Sequence, residues 1–167
     1  MFIRVLHESD AQPYQELRLS ALQTNPEAFG STYEREIQFT LEFVAERLRP
    51  SADKFALGAF DKAGAMIGMV SLVRESGMKT AHKANVFGMY VAQEQRGLGV
   101  GKALMRELIK MARGIEGLEQ VNLCVVSNND QAKKLYQSVG FERYGVERNA
   151  LKFNDQYYHE DLMALRL

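Results

Sequence analysis

The stretch QRGLGVGKALM, residues 95–105, places three glycines within five positions. The apolar run Asn85–Val91 before it, with β-branched and aromatic residues, predicts a strand. Apolar residues after it, at 104, 105, 108, 109 and 112, follow the spacing of one helix face. The stretch is therefore predicted to turn from a strand into a helix. Its uncovered backbone N–H groups, the positive end of the helix dipole and Lys102 favour binding of a phosphate or pyrophosphate.

Glycines alone are equally compatible with a tight turn that only reverses the chain, so the spacing has to decide. The dinucleotide pattern Gly-x-Gly-x-x-Gly fails, because Lys102 stands where the third glycine belongs. The P-loop pattern also fails, since no Gly-Lys-Ser/Thr ends the run. The spacing Arg96-x-x-Gly99-x-Gly101 does fit, and it resembles the acetyl-CoA signature of the GNAT superfamily of N-acetyltransferases.

A second motif supports this resemblance. Asn129 is followed by Tyr136 and then by Gly140-Phe141, which resembles the family segment Asn-x6-Tyr-x3-Gly-Phe. The resemblance implies that Asn129 hydrogen-bonds the pantetheine arm and that Tyr136 is the general acid that protonates the departing CoA thiolate. Seven residues are about two helical turns, so both side chains can address one ligand. The alternative for Tyr136 is a core tyrosine with a satisfied hydroxyl group.

The resemblance also implies where acetyl-CoA binds. Backbone N–H groups from Gly97 to Lys102 would hold the pyrophosphate, with Arg96 opening the motif. The strand edge at Met89–Val91 would pair with the pantetheine through main-chain groups, as an added strand does, while the side chains of Met89 and Val91 pack in the core. The expected cofactor-binding residues are Met89, Tyr90, Val91, Arg96, Gly97, Leu98, Gly99, Val100, Gly101, Lys102 and Asn129.

The remaining chain predicts elements in the order β-α-α-β-β-β-α-β-α-β-β. Strands are expected at 2–6, 55–60, 66–73, 85–91, 121–126, 141–153 and 157–167, and helices at about 10–22 and 40–49 and from the glycine turn to about 113. A last helix is expected to open at the capping residues 127–130, to run through Leu135 and Tyr136 and to end at Gly140. The second helix, capped by Thr40 and ending before Pro50, is expected to carry Phe43, Val44 and Leu48. Hairpins at both ends favour a single α/β (α+β) domain, residues 1–167, with a mixed, mainly antiparallel sheet flanked by helices. The GNAT fold has the same order, so the resemblance covers nearly the whole chain.

The acceptor amine needs a base, because an alkyl ammonium with a pKa of about 10.4 is protonated at neutral pH. The candidates are Glu27, Glu34, Glu75, Glu147, His82 and His159, and the sequence does not choose among them. A water chain that ends in a carboxylate, or solvent itself, is the alternative. Some family members carry a glutamate on the strand before the Asn-Tyr helix, and this chain has Cys124 there. We expect Cys124 to be a small, inert core residue and not a nucleophile, since no neighbouring His or cationic residue lowers its pKa.

Acceptor recognition is expected from three variable regions: residues 25–33, the loop 75–83 and the terminal hairpin. Glu27 is the candidate for meeting a cationic acceptor, although a solvated residue in the first turn of a helix is an equal alternative. The four aromatic residues of the hairpin are expected to fill a sheet face: Tyr144, Phe153, Tyr157 and Tyr158.

Composition narrows the class of protein. The 167 residues include 21 basic and 21 acidic ones with no long run of either sign, which argues against nucleic acid or an anionic membrane as the main partner. The single cysteine rules out an intrachain disulfide and a Cys-rich metal site, and no metal is expected. No apolar run approaches membrane-spanning length and the first residues have no signal-peptide pattern, so we expect a cytoplasmic protein. The oligomeric state stays open, a homodimer included.

These observations predict an acetyl-CoA-dependent N-acetyltransferase in which a primary amine of a small molecule or peptide attacks the thioester directly in a ternary complex. Two alternatives remain: a CoA-binding regulatory module without turnover, and an enzyme that transfers a longer acyl group.

Overall fold

A seven-stranded sheet forms the centre of the computed structural model, which describes residues 1–167. The strands are β1 (Phe2–Val5), β2 (Lys54–Phe60), β3 (Met66–Arg74), β4 (Lys83–Val91), β5 (Gln120–Val126), β6 (Glu142–Phe153) and β7 (Gln156–Arg166). Their order across the sheet is β1-β2-β3-β4-β5-β7-β6, and only β4 and β5 are parallel neighbours. The predicted mixed, mainly antiparallel sheet is confirmed.

Five α-helices flank the sheet: α1 (Ala11–Thr24), α2 (Tyr33–Glu36), α3 (Leu41–Leu48), α4 (Val100–Arg113) and α5 (Asp130–Gln137). Short 3-10 turns lie at Glu8–Asp10, Pro26–Ala28 and Gln93–Gln95. The single-turn helix α2 is an addition to the predicted order. It begins where the Thr32 side chain accepts a hydrogen bond from the backbone N–H of Arg35, at 3.3 Å. A capping threonine followed by charged residues is the local signal for this helix.

The helices cover the two faces of the sheet. On one face α4 buries the predicted stripe completely, with Leu104, Met105 and Leu108 at 0% exposure. On the other face α1 and α3 pack over β2, β3 and β4. Phe43 lies on α3 as predicted, but its side chain is 48% exposed and packs on Phe39, with ring centroids 4.7 Å apart. Helix α3 has only eight residues and its buried stripe is limited to Val44 and Leu48.

Both predicted hairpins are present. The Asp61 carboxylate accepts hydrogen bonds from the backbone N–H groups of Ala63 and Ala65, at 2.8 and 2.9 Å, and so closes the turn between β2 and β3. Asn154 and Asp155 have φ angles of 47° and 57°, the positive pair that a two-residue type I′ turn requires. Tyr144 and Tyr157 on this second hairpin are exposed, so they do not fill a covered sheet face.

The parallel pair β4–β5 separates halfway along its length. The two strands pair from Lys83↔Gln120 to Asn85↔Asn122 and no further. Gly88 then adopts a φ of +61° and the pairing of β4 with β3 shifts register, as in a β-bulge. Residues 86–91 and 123–126 therefore face each other across a gap with backbone groups that pair with no strand on that side. None of the helices has the length and apolar character needed to cross a bilayer.

Candidate active site

A cleft of about 620 Å³ opens where β4 and β5 separate. Its walls are the two strand edges, the start of α4, the first two turns of α5 and the segment 25–29. The structure brings together all the predicted site residues except Leu98, which is 70% exposed and lies outside the cleft. Those that line it are Glu27, Met89, Tyr90, Val91, Arg96, Gly97, Gly99, Val100, Gly101, Lys102, Asn129 and Tyr136.

The glycine turn has the backbone conformation expected of an anion site. Gly97 and Gly99 have φ angles of 77° and 82°, and Gly99 is the residue that caps α4. This left-handed conformation costs about 1–2 kcal/mol for a residue with a Cβ atom. Gly99 accepts the first helical hydrogen bond from the Ala103 N–H, at 3.0 Å, so the N–H groups before Ala103 are left for a ligand.

Gly101 has a role that the sequence did not indicate. A Cβ atom there would lie 3.1 Å from both Leu135 Cδ2 and Met89 Cε. Helix α4 therefore approaches α5 and β4 closely because this position has no side chain. Access of a ligand to the backbone is one reason for the glycine, and tight packing is a second.

Asn129, the residue before α5, and Tyr136, within α5, both line the cleft. Asn129 caps the helix, since its Oδ1 atom accepts a hydrogen bond from the Ala132 N–H at 3.1 Å. Its Nδ2 amide remains to donate to a ligand. Tyr136 is 7% exposed, and its ring meets Phe141 edge-on with centroids 6.1 Å apart. Burial raises the pKa of the Tyr136 hydroxyl to about 12. The Tyr136 hydroxyl therefore stays protonated at every physiological pH.

The prediction that Cys124 is a core residue is wrong, because its side chain is exposed and lines the cleft. Leu123 and Val125 occupy the core beneath α4, and the alternation of a strand points Cys124 to the opposite face. Partial burial raises the pKa of the Cys124 thiol, and the charges of Glu160 and Glu147 raise it further. A thiol held in its protonated form is a poor nucleophile, which agrees with the expectation that it is inert.

Among the candidate bases, only Glu27 lines the cleft. Glu75 lies outside it and interacts with Lys83 at 3.7 Å and with Asn85 at 3.4 Å. Glu147 lies opposite Glu160 in the β6–β7 hairpin. Burial raises the pKa of the Glu160 carboxyl, and the charge of Glu147 raises it further. The other candidates, Glu34, His82 and His159, also lie outside the lining.

Two aromatic residues of the cleft were missed from the sequence. Phe29 and Phe87 line it, and Phe87 is 54% exposed although it lies in an apolar strand. The apolar pattern of β4 gives no signal for this, because exposure depends on which part of a sheet face other elements cover, and that is set by long-range packing. Phe29 had a signal, since it stands two residues after Glu27 in the segment assigned to acceptor recognition.

Replacing Cys124 with alanine is expected to leave turnover within about threefold of the parent. The free energy of unfolding should change by no more than about 0.5 kcal/mol, as for other exposed positions. Steady-state turnover and thermal unfolding of the two proteins check this. Loss of turnover with an intact acetyl-CoA-induced rise in melting temperature would instead indicate an acyl-cysteine intermediate.

Comparisons with known proteins agree with this geometry. The model of the Acetyltransferase (GNAT) family matches residues 14–141. The chain is 30% identical over 101 residues to the L-amino acid N-acetyltransferase AaaT of Escherichia coli (strain K12), which is 60% of this chain and 62% of that protein. It is 38% identical over 85 residues to the N-alpha-acetyltransferase RimI of Mycobacterium tuberculosis, 51% of each chain. The chain thus covers less than two thirds of either relative.

The structural comparison extends further along the chain. The crystal structure of a GNAT-family acetyltransferase from Streptococcus pneumoniae superposes with a TM-score of 0.88, at 23% identity and over 99% of both chains. That likeness shows the fold, and the family match covers most of the chain. The chain belongs to the GNAT family of acetyl-CoA-dependent acetyltransferases.

Proposed function

We propose that this protein, as a single cytoplasmic domain of residues 1–167, transfers an acetyl group from acetyl-CoA to a primary amine of a small molecule or peptide. The transfer is a direct attack in a ternary complex. One observation carries the proposal: a glycine turn built for an anion opens onto the same cleft as two free strand edges and a protonated tyrosine. The three features match the pyrophosphate, the pantetheine arm and the leaving thiolate of one cofactor.

In this assignment the cofactor lies along the start of α4. The pyrophosphate sits on the N–H groups between Gly97 and Lys102, near the Lys102 ammonium. The pantetheine arm pairs with the free edge of Met89–Val91, and Asn129 Nδ2 donates to one of its carbonyl groups. This arrangement directs the thioester between β4 and β5, toward Tyr136.

The reaction consumes one ammonium and releases one proton. The acceptor first gives a proton to a base, at a cost of about 4–5 kcal/mol at neutral pH for an amine with a pKa near 10.4. The free amine then attacks the thioester carbonyl, the C–S bond breaks and the nitrogen loses its second proton. The products are the amide and the CoA thiol. Glu27 is the only candidate base in the cleft and is well placed to receive the ammonium or, through water, its proton.

Tyr136 acts at the departing sulfur. Its pKa of about 12 lies some 3.5 units above that of an ordinary thiol, so complete proton transfer costs roughly 5 kcal/mol. Tyr136 therefore stabilises the developing thiolate mainly through a strong hydrogen bond. Any proton that it gives up is recovered from the nitrogen, which becomes acidic as the amide forms. The site needs a positioned donor here, and a strong acid is not required.

Acceptor identity is the open part of the proposal. The printed names of the two relatives describe one enzyme that acts on L-amino acids and one that acts on α-amino groups. Because Glu27 lines the acceptor side of the cleft, amines without a nearby carboxylate are the favoured first class. Polyamines, peptide N-termini, aminoglycosides and amino acids together cover the range of amines worth testing.

An acceptor screen tests the function. Acetyl-CoA is held constant, each amine is added in turn and release of free thiol is followed. We expect steady release with at least one amine class, and mass spectrometry should show one added acetyl group on the product. Binding of acetyl-CoA without thiol release from any amine would favour the non-catalytic module. Faster release from propionyl- or longer acyl-CoA would favour the alternative of a longer acyl donor.

A further inference from the structure

Arg96 opens the acetyl-CoA motif, yet two of its N–H groups point to protein atoms. Its Nε donates to the Val91 carbonyl at 3.1 Å, and its Nη2 donates to Asn25 Oδ1 at 2.8 Å. The guanidinium also lies 5.3 Å from the centroid of the Tyr90 ring. Arg96 and Asn25 are 71 positions apart, so this contact joins the glycine turn directly to segment 25–29.

The other end of that segment is held as well. The ring of Phe29 packs on Tyr90, with centroids 6.4 Å apart, and Arg18 lies 4.7 Å from the centroid of the Phe29 ring. Arg18 is fixed in turn by the buried carboxylate of Glu36, through hydrogen bonds of 2.9 and 3.0 Å. Asn25 and Phe29 are thus both anchored, while Glu27 stands between them.

The side chains in contact form a continuous stack that runs from the glycine turn through segment 25–29 to α1. Its order is Arg96, Tyr90, Phe29 and Arg18, and three of these side chains line the cleft. The Arg96 guanidinium already donates to a backbone carbonyl and to a side-chain amide oxygen, so fewer of its N–H groups remain for a pyrophosphate. In this geometry, the main role of Arg96 is to connect the glycine turn to segment 25–29.

We propose that Arg96 and Asn25 form a latch that couples acetyl-CoA binding at the glycine turn to the order of the acceptor segment 25–29. The inference rests on the proposed function of the cleft and goes beyond it. Acetyl-CoA fixes the turn, the turn fixes Arg96, and Arg96 fixes Asn25, so Glu27 and Phe29 are ordered before the amine arrives. A second ligand then meets a segment that is already ordered, and its binding costs less entropy. Arg96 and Asn25 are positioning residues in this scheme.

Hydrogen exchange measured with and without acetyl-CoA tests the latch, because it needs no acceptor. In the parent protein, acetyl-CoA should slow exchange both at residues 97–102 and in a peptide covering 24–31, the latter by about fivefold. Asn25→Ala should keep the protection at 97–102 and lose it at 24–31. Arg96→Lys retains the positive charge but lacks the planar guanidinium that donates to Val91 and Asn25 together. It should therefore give the same exchange pattern as Asn25→Ala.

Two variants serve as controls. Asn25→Asp retains an oxygen for Arg96 and should restore the protection at 24–31. Gln23→Ala changes an exposed side chain at the end of α1 and should behave as the parent does. With an amine found in the screen, Asn25→Ala should raise the acceptor KM about tenfold, change kcat less than threefold and, because coupling is reciprocal, weaken acetyl-CoA binding by no more than about fivefold.

The outcomes separate the latch from the function on which it rests. Protection at 97–102 alone in the parent, or unchanged protection at 24–31 in Asn25→Ala, would overturn the latch and leave the acetyl-CoA site intact. Absence of protection at 97–102 in the parent would contradict the proposed cofactor site, and the latch with it.

Discussion

Replacing Tyr136 with phenylalanine is expected to lower turnover about 10- to 1,000-fold, the range for loss of a positioned acid that water partly replaces. This loss corresponds to roughly 1.4–4 kcal/mol of transition-state stabilisation. The ring still packs edge-on against Phe141, so the melting temperature and acetyl-CoA affinity should change little. The measurement is kcat for both proteins with a matched pair of thioesters that differ in the pKa of the leaving thiol.

The comparison of two thioesters shows whether Tyr136 assists the departure of the thiol. A thiol of lower pKa needs less help in leaving, so its ester should lose less turnover when the hydroxyl is removed. Equal kcat values in parent and variant would reduce Tyr136 to a packing residue. A uniform loss with both thioesters would keep Tyr136 in the site and give it an orienting role.

The pH profile provides an independent check on the same residue. A tyrosine acts as a donor below its pKa and loses that ability as pH rises through it. With a pKa of about 12, Tyr136 should cause no fall in kcat near pH 10, where an ordinary tyrosine ionises. Parent and Tyr136→Phe should therefore show profiles of the same shape up to about pH 10.5. A fall near pH 10 that is present only in the parent would contradict the raised pKa.

Local signals were enough to predict most of the fold. The glycine turn and the Asn129 cap rest on contacts within a few residues, and each strand carries its own apolar pattern although its pairing partners are distant in sequence. The short hairpin turns are local in the same sense. The assignment of Asn129 and Tyr136 to one ligand is what the family resemblance implies, their spacing of two helical turns is compatible with it, and both residues line the cleft.

The features of the cleft that the sequence could not predict depend on contacts between distant segments. Cys124 lies in an apolar run, but it alternates with the core residues Leu123 and Val125 and is exposed on the other face of the strand. Phe87 also lies in an apolar run and is 54% exposed, and which part of a sheet face is covered is set by long-range packing. The hydrogen bond between Arg96 and Asn25 joins segments that no local pattern relates. Long-range packing therefore limited the prediction of these cleft residues, whereas the glycine turn and the Asn129 cap could be read from short stretches of sequence.

Replacing Gly99 with aspartate is expected to abolish the rise in melting temperature that acetyl-CoA produces in the parent. A ligand at 100 times its Kd stabilises the folded state by about 2.7 kcal/mol, which is roughly 5–10 °C for a chain of this size. Aspartate would place a carboxylate beside the bound pyrophosphate, where the two negative charges repel each other. Gly101 is a poorer choice for this test, because a side chain there would also strain the contact with Leu135.

Backbone strain has to be separated from the electrostatic effect, and the chain offers matched controls. Gly99 and Gly64 have φ angles of 82° and 87°, and a Cβ atom at either would meet nothing within 4 Å. Gly64→Asp in the β2–β3 turn should therefore cost a similar 1–2 kcal/mol of stability and keep the full ligand-induced rise. Gly99→Asn has nearly the size of aspartate without its charge and should keep a reduced rise. Melting curves over a range of acetyl-CoA concentrations compare all four proteins, and a full rise in Gly99→Asp would place the phosphate site elsewhere.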